Sequence, residues 1–272
     1  MALGDFDNLL RSAIFDVSEN GFDEERVKAW MKRLREAANR SFLPLEEMRR
    51  KMDRAYRALL DRTLRQAPRV HPGVARFTLE RLRPDLHQNL SDRISISADL
   101  IKLNREEEVE KTLRRFAGWG SSVPKGGSPS VDKKEKYEEV RKSLSGLSFR
   151  ERRLMIDQGH KLTASVNAVI ALGSGAIAAK WISHWHQTGY NFRKPHKQLM
   201  IESAKRPFLI RDSWAIEAGL LSRNDVKYTD EMTQPAEEVY CSCYYEYVYQ
   251  LSALPRDMLT KKGLEVIEAA KG

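Results

Sequence analysis

Apolar residues recur every three to four positions through 5–18, 23–40 and 44–67, which predicts three amphipathic helices. Asp23 and Pro44 stand where helix starts are expected. In the third segment Leu45, Met48, Met52, Tyr56, Leu59, Leu60 and Leu64 form one stripe, and arginines take the opposite side. Pro68 and Pro72 break the pattern, and weaker helical segments follow at 73–90 and 93–117.

Gly, Pro and Ser then crowd residues 118–131 at a density that argues against a helix or a central strand. This stretch reads as a linker or long mobile loop, or else as an ordered arm lying on a partner. It separates a helical region, 1–117, from a C-terminal domain, 132–272. Within that domain 133–145 predicts a charged helix and 148–188 the longest helix of the chain. Residues 207–210 and the β-branched, aromatic run 239–249 predict strands, and 256–270 a closing helix. The expected fold class is α+β and predominantly helical. A helical N-terminal part precedes an α+β domain with a long helix and a small antiparallel sheet.

Composition sharpens the picture in one respect. The chain of 272 residues carries 47 Lys and Arg against 38 Asp and Glu, a net charge of +9. Such a surplus suits a protein that meets phosphate backbones or acidic surfaces, although charged helices also drift basic without a partner. The positive charge is clustered. Arg49, Arg50, Arg54 and Arg57 lead one basic run, and Arg50, Arg54 and Arg57 share a helical face at i, i+4 and i+7. Arg193, Lys194, Lys197, Lys205, Arg206 and Arg211 form a second. Neither run interleaves aromatics as a single-strand stacking platform would. Two cysteines exclude a disulfide-dense secreted scaffold, and the first residues show no signal-peptide pattern; a soluble protein of a reducing compartment is expected.

The remaining motifs each have a plain structural reading. The uncharged run 162–179 approaches the length of a membrane span, but Thr163, Ser165, Asn167, Gly173, Ser174 and Gly175 dilute it. A buried helix of small residues fits it better, and no membrane contact is expected. Gly173 to Ala178 matches G-x-G-x-x-A, with 198–202 as a conceivable second strand ending in Glu202. Gly189 and Pro195 interrupt the connection, so this reads as a decoy rather than a dinucleotide site. Cys241 and Cys243 fall at i and i+2 of a strand, on one face. With His184, His186 and His196 a four-ligand zinc site is arithmetically open, but finger spacings are absent and buried packing is the favoured reading. The tyrosines at 240, 244, 245, 247 and 249 read as core, with any exposed ones marking a protein contact. No nucleophile elbow, H-E-x-x-H, Walker-type or paired-carboxylate signature occurs. No catalytic residue, metal ligand or cofactor is assigned, and the chain is not expected to be an enzyme.

Several elements recur in a recognisable order. Residues 148–153 open a long helix that ends at Trp181 and Trp185. Arg193 and His196 follow within 190–196, then the strand at 207–211, the segment 228–235 ending in Pro235, and Cys241-Ser-Cys243 ahead of an aromatic strand. The stretch 254–260 fits the same series. In these features residues 148–262 resemble the conserved domain of the phage Mu F-like head morphogenesis family of minor head, or minor capsid, proteins. The family usually has Asn-Cys-Arg-Cys where this chain reads Tyr240-Cys-Ser-Cys243. It often has Arg-Thr-Glu where this chain reads Met155-Ile-Asp157-Gln158, so no site role is carried to those positions. The first 118 residues carry no comparable signature.

The resemblance implies a virion protein of a tailed bacteriophage. Assembled in the host cytoplasm, it would lie in multiple copies inside the capsid near the portal and aid head assembly or DNA packaging. Its implied partners are the portal protein, the major capsid protein and packaged double-stranded DNA bound without sequence preference. Arg49, Arg50, Arg54, Arg57, Arg193, Lys194, Lys197 and Arg211 are the expected contacts to nucleic acid or portal. Trp185, Arg193, His196, Pro235, Cys241 and Cys243 are the family-motif positions. Two other readings stay open: a nuclease-like or nucleotide-using enzyme acting through the histidines, Arg193 or Gly173–Ala178, and a stand-alone DNA-binding protein.

Overall fold

A computed structural model describes residues 4–184, 186, 188–189 and 193–270. The chain is predominantly helical α+β, as expected. Helices α1 (Gly4–Asn20), α2 (Glu24–Ser41), α3 (Leu45–Val70), α4 (Arg76–Arg81), α5 (Arg83–Ser122), α6 (Lys133–Arg141) and α7 (Leu147–Gly173) precede strand β1 (Ala178–Ile182). Helix α8 (Lys194–Lys205), β2 (Phe208–Leu209), α9 (Trp214–Glu217), β3 (Tyr244–Val248) and α10 (Lys261–Ala269) complete the order.

Two compact units result, one of residues 1–52 and 95–154, the other of 53–94 and 155–272. The stretch 118–131, expected to separate domains, lies inside the first unit. Its first residues are helical: α5 runs to Ser122. Burial of Phe116 and Val123 opposes the helix penalty of roughly 1 kcal/mol that each of Gly118 and Gly120 brings. The rest is docked on the end of α1. The Ser128 N–H donates to the Ser18 carbonyl at 2.7 Å. Gly21 (φ 77°) and Gly127 (φ 85°) let the two backbones meet where a Cβ would come within 2.2 Å of the Pro124 carbonyl oxygen or 2.5 Å of that of Glu19.

The first unit is a helical core. Phe6, Leu10, Ile14 and Val17 of α1 pack with Val27 and Leu34 of α2, Leu113 and Phe116 of α5, and Tyr137 and Val140 of α6. Inside it Arg105 reaches Glu151 through two hydrogen bonds, of 2.6 and 3.1 Å, with both side chains nearly buried.

The second unit holds the sheet, in the order β2-β1-β3, with β1 antiparallel to both neighbours. Ala178 lies opposite Val248 and Ile182 opposite Tyr244. β1 occupies part of the segment expected to continue the long helix to 188. α7 stops at Gly173 instead, closed by hydrogen bonds from Gly175 N to the Leu172 carbonyl and from Ala176 N to the Ala171 carbonyl. The Gly-rich motif therefore leads from a helix into a strand, the reverse of the strand-to-helix order a dinucleotide site needs. Residues 198–202 belong to α8 and form no strand. The stripe of α3 is observed: Met48, Met52, Tyr56 and Leu60 are buried, while Arg50, Arg54 and Arg57 are exposed. Among the described residues no helix is long and apolar enough to cross a membrane.

Candidate functional site

The turn before β3 carries two residues in left-handed backbone conformation, Ala236 at φ 63° and Tyr240 at φ 59°. That region costs an ordinary L residue roughly 1–2 kcal/mol, so something must hold it. Three side chains do. Lys161 of α7 donates from Nζ to the carbonyl oxygens of Ala236, Glu237 and Glu238 at 2.7, 2.8 and 3.1 Å. Asp157, one turn earlier, accepts from the Tyr240 N–H and lies 3.5 Å from Lys161. Arg193, the N-cap of α8, pairs with Glu238 and donates to the Val239 carbonyl at 2.7 Å. Pro235 is buried at the head of the turn.

The turn delivers Cys241 and Cys243, both buried free thiols, to His196 of α8. His196 Nδ1 lies 3.6 Å from Cys241 Sγ and 3.5 Å from Cys243 Sγ. Its Nε2 faces Glu238 Oε1 at 3.5 Å. Trp181 of β1 closes one side, its ring 5.0 Å from that of His196 and edge-on to Tyr245 at 5.7 Å. Ser203 ties α8 to β1 by accepting from the Trp181 N–H at 2.8 Å. The two thiols titrate as a pair. Their mutual hydrogen bond draws the first proton loss down at Cys241 and pushes Cys243 up, and burial pushes Cys243 further.

Among the described residues, His196, Cys241 and Cys243 are the one group whose metal-ligating atoms converge, all within 4.8 Å of one another. His184 and His186 do not join it; His184 packs its ring near Tyr244. Trp185, a motif position, lies outside the described residues. Asp157, Lys161 and Glu238 escape a reading of the sequence alone. The i, i+4 acid–base pair on α7 is the available signal for the first two.

The expected basic contacts differ in availability. Arg50, Arg54 and Lys194 are exposed. Arg49 pairs with Glu46 and Asp99, and Arg57 with Asp53. Arg193 is engaged with the turn, and Lys197 of α8 is half-buried. Arg211 pairs with Asp230 and Glu231 and lies over the Tyr228 ring, so its charge is neutralised within the chain. Further along α3, Arg62, Arg65 and Arg69 are also exposed, and with Arg54 they make no ion pair among the described residues.

A second buried polar group lies nearby in the same unit. His71 Nδ1 is 2.6 Å from Tyr249 Oη and its Nε2 is 3.1 Å from Asn167 Oδ1. An amide oxygen only accepts, so Nε2 carries the proton and Tyr249 donates to Nδ1. Burial lowers the His71 pKa below its ordinary value, partly opposed by the Asn167 hydrogen bond. Tyrosines 245, 247 and 249 line this interior, whereas Tyr240 and Tyr244 are exposed.

Compared with family models, curated proteins and solved structures, the chain finds no significant match.

Proposed function

We propose that this chain is a structural minor head protein of a tailed bacteriophage, acting inside the capsid near the portal in head assembly or DNA packaging. One observation carries the reading. Arg193, His196, Pro235, Cys241 and Cys243, positions that a sequence resemblance strings along the chain, meet around a single turn and its buried cluster. Residues that recur together in a family signature do so when they build one local structure, and these build one. Arg54, Arg62, Arg65 and Arg69 of α3, exposed and without an ion pair among the described residues, support the accompanying contact with DNA, because such guanidinium groups release counterions from a phosphate backbone without reading its sequence.

The test is location. Purified phage particles should contain the chain in several copies, and particle imaging with a tagged copy should place it on the inner side of the head by the portal. Particles of full infectivity that lack the chain would end this reading.

A further inference from the structure

We propose that His196, Cys241 and Cys243 bind one Zn2+ ion, with His196 ligating through Nδ1. Packing alone is the favoured reading of the two cysteines from sequence; the geometry favours ligation. In a tetrahedral zinc site, Zn–S bonds of about 2.3 Å and Zn–N bonds of about 2.0–2.1 Å place sulfur and nitrogen roughly 3.5–3.6 Å apart. The observed separations are 3.6 and 3.5 Å. An imidazole nitrogen has a single lone pair or a single proton and can satisfy one thiol in line. Nδ1 instead lies at nearly the same distance from two sulfurs, as it would if all three atoms shared one cation.

The surroundings fit the same ion. Two thiolates and an imidazole are a soft donor set that selects zinc over the hard cations. A metal-ligating histidine usually sets its other nitrogen against a carboxylate, and Nε2 of His196 faces Glu238, itself held by Arg193. All three ligand residues are buried, and Trp181 and Tyr245 wall the cluster, which keeps competing water away. The ion would join α8 to the segment that leads into β3, adding to the packing of Leu199 and Met200 against that cluster and to the contacts of Arg193.

The experiment uses the full chain, purified under reducing conditions and loaded with Zn2+ or, separately, Co2+. About one zinc per chain is expected by elemental analysis, with a thiolate-to-cobalt charge-transfer band in the cobalt form. Zinc should also shield both thiols from a thiol reagent until a chelator is added. Cys241→Ser and Cys243→Ser should each remove the band and weaken zinc binding by at least about 100-fold. Glu238→Gln keeps every ligand and should weaken it by about 10–100-fold with unchanged circular dichroism. Should the serine variants fail to fold, the wild-type metal content, cobalt spectrum and thiol shielding still decide. A folded wild-type chain that takes up no stoichiometric zinc and gives no cobalt–thiolate band overturns the proposal. So does Glu238→Gln binding zinc as tightly as wild type.

Discussion

Asp157 of α7 accepts the backbone N–H of Tyr240 at 2.5 Å, across 83 positions of sequence. The contact fixes a tyrosine in left-handed backbone space immediately before Cys241. An ionised acceptor makes such a bond worth roughly 1.5–3 kcal/mol, enough to offset the conformational cost. Asp157→Ala should therefore destabilise the chain by about 2 kcal/mol in denaturant unfolding. An unchanged midpoint would mean that Lys161 and Arg193 hold the turn without it.

Tyr240 itself is the improvable member of that pair. Asparagine enters left-handed space far more readily than tyrosine. Tyr240→Asn should stabilise the chain by about 0.5–1 kcal/mol, read as a higher melting temperature. A lower one would show that the exposed ring contributes more than the backbone loses.

His71 sets a pH dependence of stability. Its pKa is lowered in the folded chain, so below the ordinary value near 6.5 the unfolded chain binds a proton that the folded chain does not. The sign follows: stability is full above about pH 6.5 and falls as the pH drops through the window beneath it. The limiting slope is about 1.4 kcal/mol per pH unit. Comparing denaturation of wild type and His71→Gln at several pH values should show a shallower slope in the variant. Parallel curves would refute the assignment.

The Arg105–Glu151 pair is buried enough that losing one partner strands a charge. Arg105→Met should cost about 3–5 kcal/mol, whereas Arg105→Met with Glu151→Leu should recover much of that. A double-mutant cycle on thermal unfolding measures the difference. Additive losses would place the pair among surface-like contacts.

Arg54, Arg62, Arg65 and Arg69 give the DNA contact its test. With each converted to Gln, the slope of log affinity against log salt for duplex DNA should shrink by roughly one for every phosphate no longer neutralised. An unaltered slope would move the DNA-binding face elsewhere or remove it.

The helices are legible because their apolar spacing is local: Leu45 to Leu64 announces α3 on its own. β1 is not, because Ala178, Ala179 and Trp181 read as a continuation of the small, apolar residues of α7, and a helix tolerates an isolated Gly173 at roughly 1 kcal/mol. Only pairing with 244–248, more than 60 residues later, makes this segment a strand. The cysteine pair is visible as a spacing, yet its partner depends on α8 setting His196 against it. Likewise the helix at 116–122 rests on burial among α1 and α2 side chains, which no window of glycines and serines discloses.

That docking of residues 124–128 on the end of α1 has a practical outcome. To a protease scanning for cleavable chain, the Gly- and Pro-rich stretch looks like the obvious place to cut. Its backbone is pressed against that of Ser18, Glu19 and Gly21, however, and cannot be drawn out into an active-site cleft without lifting it from the helix end. Digestion of the native molecule should leave this segment whole, and fragments split there would report that the first unit has already come apart.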